Sequence, residues 1–233
     1  MILYAIGLAA SFIAGVWFIL AAPKNKAWVN LFLSAGGAFI ITIIFTHILP
    51  EIFESIPEYA GIAMLVGFLV QIVLENFSKG IEHGHSHPGK SQRGLLLSFF
   101  ALCIHAFIEG MPLLATLSDV GVQFARELML GIMLHKIPVA ITLALLLLKS
   151  GVKRNTSIVY LLIFVLSTPA GSLFQHLVGA GVGNEYLLIS LGLTIGILLH
   201  VSTTILFENS DHHRLTASRI LAIALGLAGA VFI

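Results

Sequence analysis

The sequence predicts an all-α polytopic membrane protein, and three observations support this fold class. Of the 233 residues, 58% are hydrophobic and only 10% are charged, whereas about 25% of the residues of a soluble protein are charged. The mean hydropathy is +1.03. The apolar residues form stretches of about 20, the length of a transmembrane helix, without the alternation typical of barrel strands. The excess apolar surface is therefore expected to face membrane lipid.

Eight stretches are long and apolar enough to span a bilayer as helices, and proline and glycine residues separate them. They are Ile2 to Ala22, Ala27 to Leu49, Tyr59 to Phe77, Gly94 to Leu117, Val122 to Leu148, Ser157 to Val178, Tyr186 to Phe207, and Thr216 to Ile233. The breaks between them, under about 20 residues each, are too short for a separate folded core. Residues 1–233 are therefore predicted to form a single transmembrane domain.

Basic residues mark one side of the predicted bundle. Ten of the twelve Lys and Arg residues fall in the first, third, fifth and seventh loops. Cytoplasmic loops are enriched in Lys and Arg, so both termini are expected on the extracytoplasmic side of a cell membrane, plasma or inner. The longest break, residues 78–93, is then a cytoplasmic loop that carries His83, His85 and His87.

Composition excludes several classes of function. A net charge of +1 without a basic tract argues against a nucleic-acid partner. The single cysteine, Cys103, rules out an intramolecular disulfide and a cysteine-based zinc cluster. Ten histidines are the unusual feature, because histidine is costly in a bilayer unless it has a task there.

Three side chains within the spans have the chemistry of metal ligands. His105 and Glu109 of span four are at i and i+4 and share one helix face. His135 of span five is expected at a similar depth, because a short loop makes the two spans antiparallel neighbours. Two imidazoles and one carboxylate are ligand types of a zinc-like site. The sequence therefore predicts a metal or proton site, the alternative being buried side chains that only neutralise one another.

A proline follows three residues after each half of this predicted site. Pro112 and Pro138 lack an amide hydrogen, which frees carbonyls near Ile108 and Leu134. Broken helices of this kind offer backbone oxygens and space to ions in transporters. We expect the freed carbonyls to contribute in that way.

Polar residues also mark both ends of a possible path. His47 and Glu51 are at i and i+4 near the outer end of span two and are predicted to form a cation entrance, or else an ordinary solvated helix end. His200 and Glu208 of span seven are predicted to line an exit, or else a packed polar seam. The histidines at 83, 85 and 87 are predicted to capture emerging metal transiently, or else to act as a sensor or to be dispensable.

The motifs of spans four and five resemble those of the ZIP (Zrt/Irt-like) divalent-metal transporters. His105-Ala-Phe-Ile-Glu109-Gly110 is similar to the family pattern H-N-x-x-[D/E]-G, and His135-Lys-Ile-Pro138 is similar to H-[E/N/D]-x-P-[E/H]. The resemblance implies a 3+2+3 bundle, with spans one to three related to spans six to eight by inverted symmetry. It also implies a homodimer, a primary metal site at His105, Glu109 and His135, and movement of zinc, or in some members iron, manganese or cadmium, into the cytoplasm.

The sequence departs from the family pattern where a second metal is often bound. Ala106 replaces the usual Asn, Lys136 replaces an acid or Asn, and Val139 replaces Glu or His. We therefore predict a single-metal site in which the Lys136 ammonium stands roughly where the second ion would be, and pairs with Glu109 when the metal is absent. A non-transporting paralogue that binds metal is the closest alternative. An intramembrane zinc hydrolase with Glu109 as base is another, although polar residues at both ends favour a transporter over an enzyme.

Overall fold

Helices make up nearly all of the chain that the computed structural model describes, which is residues 2–21, 27–81, 92–119, 122–179, 184–208 and 216–232. Side chains of residues 27, 114–119, 122–125, 179, 184, 185 and 208 fall outside this description. The helices are α1 (Ile2–Ala21), α2 (Ala27–Ile43), α3 (Leu49–Ser55), α4 (Ala60–Ser78), α5 (Gln92–Asp119), α6 (Val122–Lys149), α7 (Arg154–Gly179), α8 (Asn184–Glu208) and α9 (Ala217–Val231). A π-helical turn, Ile44–Ile48, joins α2 to α3.

Seven of these helical segments are long and apolar enough to cross a membrane, with α2, the π turn and α3 counting as one. The eighth predicted span corresponds to α9, which has 15 residues and is short for a bilayer core that takes about 20. Many large apolar side chains on the bundle surface are exposed, as on α1, α4 and α7. These features confirm an all-α polytopic membrane protein.

The π turn in span two has a local cause. Pro50 has no amide hydrogen to donate to the carbonyl of Thr46, so the regular ladder cannot continue through it. The amide of Leu49 bonds instead to the carbonyl of Ile44, five residues earlier. The extra residue in this turn changes which side chains share a face before and after it.

The helices pack most extensively in four pairs: α1 with α6, α5 with α7, α2 with α9, and α4 with α8. An inverted repeat would exchange α1, α2 and α4 with α7, α8 and α9, in that order, and would exchange α5 with α6. This exchange converts the pair of α1 and α6 into the pair of α7 and α5, and the pair of α2 and α9 into the pair of α8 and α4. This pairing pattern supports the expected inverted repeat.

Glycines allow the backbones of α5 and α7 to meet beside the predicted site. A Cβ atom built on Gly110 would overlap the carbonyl group of Thr168, and one built on Gly171 would overlap that of Phe107. Small residues permit such close approach between membrane helices. The helix that carries His105 and Glu109 is thus held directly against α7.

Candidate metal centre

The three predicted ligands converge halfway along two long helices. The Nε2 atoms of His105 and His135 lie 2.9 Å and 2.8 Å from the same carboxylate oxygen, Oε1 of Glu109. All three residues are 1% exposed. In the described part of the chain, they form the only group of three or more His, Cys, Asp or Glu side chains with potential ligand atoms this close. The i,i+4 spacing on α5 and the antiparallel α6 bring them together, as the sequence predicts.

Both imidazole rings are oriented by hydrogen bonds on their far side. Nδ1 of His105 donates to the side-chain carbonyl of Gln71 at 2.8 Å, and Nδ1 of His135 donates to the main-chain carbonyl of Gly131 at 3.1 Å. A neutral imidazole has one N–H, so with Nδ1 as the donor each ring can offer the lone pair of Nε2 to a metal ion bound at Glu109. Metal-binding histidines are commonly held in this way.

Contrary to expectation, Pro112 and Pro138 do not break their helices, and a role of the freed carbonyls towards the ion stays a prediction. Both α5 and α6 continue as helices through Pro112 and Pro138. The hydroxyl of Thr194 on α8 donates to the carbonyl of Ile108 at 3.0 Å. Because Thr194 satisfies this oxygen, the proline is accommodated by a neighbouring helix.

Lys136 interacts electrostatically with Glu109, but the two side chains form no direct ion pair in the described part of the chain. Its Nζ atom lies 4.6 Å from the centre of the Phe164 ring and has no hydrogen-bond partner among the described residues. The side chain is 1% exposed. A cation over an aromatic face is attracted to it, and this contact takes the place of the predicted ion pair.

The other two departures from the family motif lie in the apolar core. Ala106 is 0% exposed and Val139 is 1% exposed, and both pack in the same buried hydrophobic cluster as Phe164. Neither side chain offers a ligand atom. Only Lys136 adds a polar group at these positions.

At the outer end, the structure pairs His47 with a residue of another helix. Nδ1 of His47 lies 3.7 Å from Oε2 of Glu127 on α6 and 2.9 Å from the hydroxyl of Thr46. Glu51 is exposed and has no described contact with His47. His47 lies in the π turn and Glu51 follows it, so the two side chains do not have regular helical spacing. The cation entrance at these residues stays a prediction.

At the inner end, His200 of α8 faces Glu75 of α4, with 3.4 Å between Nε2 and Oε2. The ring of His200 also stacks edge to face on Phe68. Glu208 is the last residue of α8, but its side chain lies outside the described residues. His83, His85 and His87 lie outside them as well.

Sequence reasoning missed Gln71, Glu75 and Glu127. Gln71 and Glu75 are at i and i+4 on α4, so one helix face carries the partners of both His105 and His200. The sequence did contain a signal for Gln71 and Glu75, because these two polar residues interrupt an otherwise apolar span. The burial of Glu127, which is 2% exposed, was not visible in the sequence.

The chain is similar to proteins that are named as zinc transporters. The profile of the family described as ZIP Zinc transporter matches residues 82–233. Zinc transporter ZIP9-A of Xenopus laevis is 25% identical over 161 residues, which cover 68% of this chain and 53% of that protein. Zinc transporter ZIP9 of Micropogonias undulatus is 24% identical over 161 residues (68% and 52%). Zinc transporter ZIP1 of Plasmodium falciparum is 30% identical over 155 residues (60% and 42%).

The chain spans about half the length of the curated relatives it matches. The family profile covers well over half of this chain, including both helices that carry the candidate ligands. These relatives are named as transporters, in agreement with the prediction that the chain is not an enzyme. The chain belongs to the ZIP zinc transporter family.

Proposed function

We propose that this chain carries a divalent metal cation through a site made by His105, Glu109 and His135, and that zinc is the principal substrate. One observation carries the proposal: two imidazole nitrogens and a carboxylate oxygen meet in the buried middle of α5 and α6. Tetrahedral zinc bonds of about 2.0–2.2 Å place ligand atoms roughly 3.4 Å apart. The observed separations of 2.8–2.9 Å therefore need to widen by only about half an ångström.

The site is proposed to hold one ion. Ala106 and Val139 are buried among apolar side chains, and the buried Lys136 places a cation that interacts electrostatically with Glu109. A divalent ion with two neutral histidines and one carboxylate keeps a net charge of about +1, which the nearby ammonium opposes. Binding is therefore weak and reversible, as a carrier requires.

Metal is proposed to enter from the outer side near His47. Glu127, 2% exposed, and Glu51 give this mouth a negative potential that concentrates cations. Glu127 precedes His135 by eight residues on α6, or about 12 Å along the helix axis. The outer pair is thus about two helical turns from the central ligands.

Metal is proposed to leave on the cytoplasmic side past His200 and Glu75. The 3.4 Å between their nearest atoms matches the ligand spacing of a bound zinc ion. Glu208 and the histidines at 83, 85 and 87 would extend this route into the cytoplasm. The excess of Lys and Arg in the odd-numbered loops supports a cytoplasmic position for this end of the bundle and an extracytoplasmic position for both termini.

Family membership also supports proposals about the membrane, the assembly and the alternative substrates. We propose a cell membrane, plasma or inner, as the location, lipid as the surrounding partner and a homodimer as the assembly. Iron, manganese and cadmium are alternative substrates, because imidazole and carboxylate ligands bind several divalent metals. No observation favours the intramembrane hydrolase.

Uptake into liposomes tests the proposal. The purified chain is reconstituted with a zinc-sensitive dye inside the vesicles, and wild type is compared with Glu109→Gln and His105→Ala. Both variants should abolish uptake, whereas Glu54→Gln, which removes an exposed carboxylate on α3, should not. Undiminished uptake by Glu109→Gln would contradict the proposed site. Metal binding by wild type without any flux would instead identify a non-transporting paralogue.

A further inference from the structure

We propose that Gln71 is a positioning residue of the metal centre: its side-chain carbonyl holds the ring of His105 so that Nε2 stays available to the metal. This inference rests on the proposed function, because it concerns the same site. Gln71 lies on α4, which contributes no ligand to the group of His105, Glu109 and His135. Its role would therefore be to act through His105.

The geometry of Gln71 is well defined. The residue is 0% exposed, and its Oε1 atom lies 2.8 Å from Nδ1 of His105. Gly67, one helical turn earlier, lies where the backbone of α4 meets that of α8 at Leu193. The carboxamide is thus presented from a helix that is fixed against its neighbour.

The chemistry follows from the single N–H of a neutral imidazole. An acceptor facing Nδ1 keeps the proton on Nδ1 and leaves the lone pair on Nε2 for a metal. Outer hydrogen bonds of this type orient the ring and raise the basicity of the ligand atom. At His135 the acceptor is the main chain of Gly131, so Gln71 is the acceptor that mutation can remove.

Burial favours this role over a purely structural one. A carboxamide in an apolar span costs free energy unless it is hydrogen-bonded, and an apolar residue would pack there at lower cost. The bond made by Gln71 goes directly to a candidate ligand. The position of α4 is thereby linked to the orientation of one ligand ring.

Two substitutions separate the acceptor from side-chain packing. Gln71→Met keeps the chain length but removes the acceptor, whereas Gln71→Glu keeps an acceptor oxygen. The zinc dissociation constant of the purified full chain is measured by competition with a chelating dye, and KM and Vmax are measured in liposomes. Gln71→Met should weaken binding by about 10–100-fold and raise KM, and Gln71→Glu should restore tight binding. Gln175→Met, which changes another buried glutamine on α7, is the matched control and should leave the dissociation constant unchanged.

Nitrogen NMR of histidine-labelled protein gives a second readout that packing alone does not move. In the zinc-bound wild type, His105 should carry its proton on Nδ1. A proton on Nε2 with metal on Nδ1 would overturn the inference whether or not the variants fold. If Glu109→Gln abolishes zinc binding but Gln71→Met binds as wild type does, only this inference fails. If Glu109→Gln binds zinc normally, the proposed site itself fails.

Discussion

A single methyl group added at Gly110 should disturb the metal centre through helix packing. A Cβ atom there would lie 2.8 Å from the carbonyl carbon of Thr168 and overlap its oxygen, whereas ordinary contact begins at 3.4 Å. Helices α5 and α7 must therefore move apart by at least about 0.6 Å, and overpacking of this kind costs about 1–3 kcal/mol. Because Glu109 precedes Gly110, the movement should also displace its carboxylate from His135. A loss of 1.4 kcal/mol in binding corresponds to about tenfold in affinity.

The assay compares Gly110→Ala with Gly61→Ala. Gly61 also lies in a membrane helix, but a Cβ atom there meets nothing within 4 Å. Thermal unfolding in detergent and zinc affinity are measured for both variants. Gly110→Ala should lower the melting temperature and weaken zinc binding about tenfold or more, and Gly61→Ala should change neither or be slightly more stable, since alanine favours helix. A Gly110→Ala protein as stable and as tightly binding as wild type would refute the close packing of α5 and α7.

Two further predictions address the surroundings of the site. Glu127→Gln should raise KM for zinc uptake several-fold with little change in Vmax, because it removes the buried carboxylate facing His47. The control Glu54→Gln, at an exposed position, should leave KM unchanged. A KM for Glu127→Gln equal to that of wild type would count against an entrance at His47. Lys136→Met should tighten zinc binding, because it removes the cation held over Phe164, while the stoichiometry stays at one ion per chain. A dissociation constant unaffected by Lys136→Met would contradict the account of that lysine.

The central cluster was accessible from sequence because its geometry depends on local rules. His105 and Glu109 are one helical turn apart, and α6 follows α5 after a short loop, so their depths could be matched by counting. The polarity of these residues in apolar spans identified them as unusual. Distances between the ligand atoms required the folded chain.

The contacts around the cluster were not accessible because they depend on which distant helices pair. Gln71 reaches His105 from α4, and Thr194 reaches the carbonyl of Ile108 from α8. Sequence order does not fix these neighbours. The hydrogen bond from Thr194 to the carbonyl freed by Pro112 could therefore not be predicted.

The outer mouth shows how one backbone irregularity changes a pattern. Regular helical spacing places His47 and Glu51 on one face, but the chain forms a π turn before Pro50. His47 then pairs with Glu127 from α6. A proline near the end of a span signals such a turn but does not specify where the side chains will point.

Anomalous diffraction at the zinc absorption edge, from crystals of the full chain grown with zinc, tests the central claim most directly. We predict one strong peak between α5 and α6, about 2.0–2.2 Å from Nε2 of His105, Oε1 of Glu109 and Nε2 of His135. Two adjacent peaks at the central site between α5 and α6 would contradict the single-ion site. A peak bound by other side chains, with these three left without metal, would contradict the site altogether.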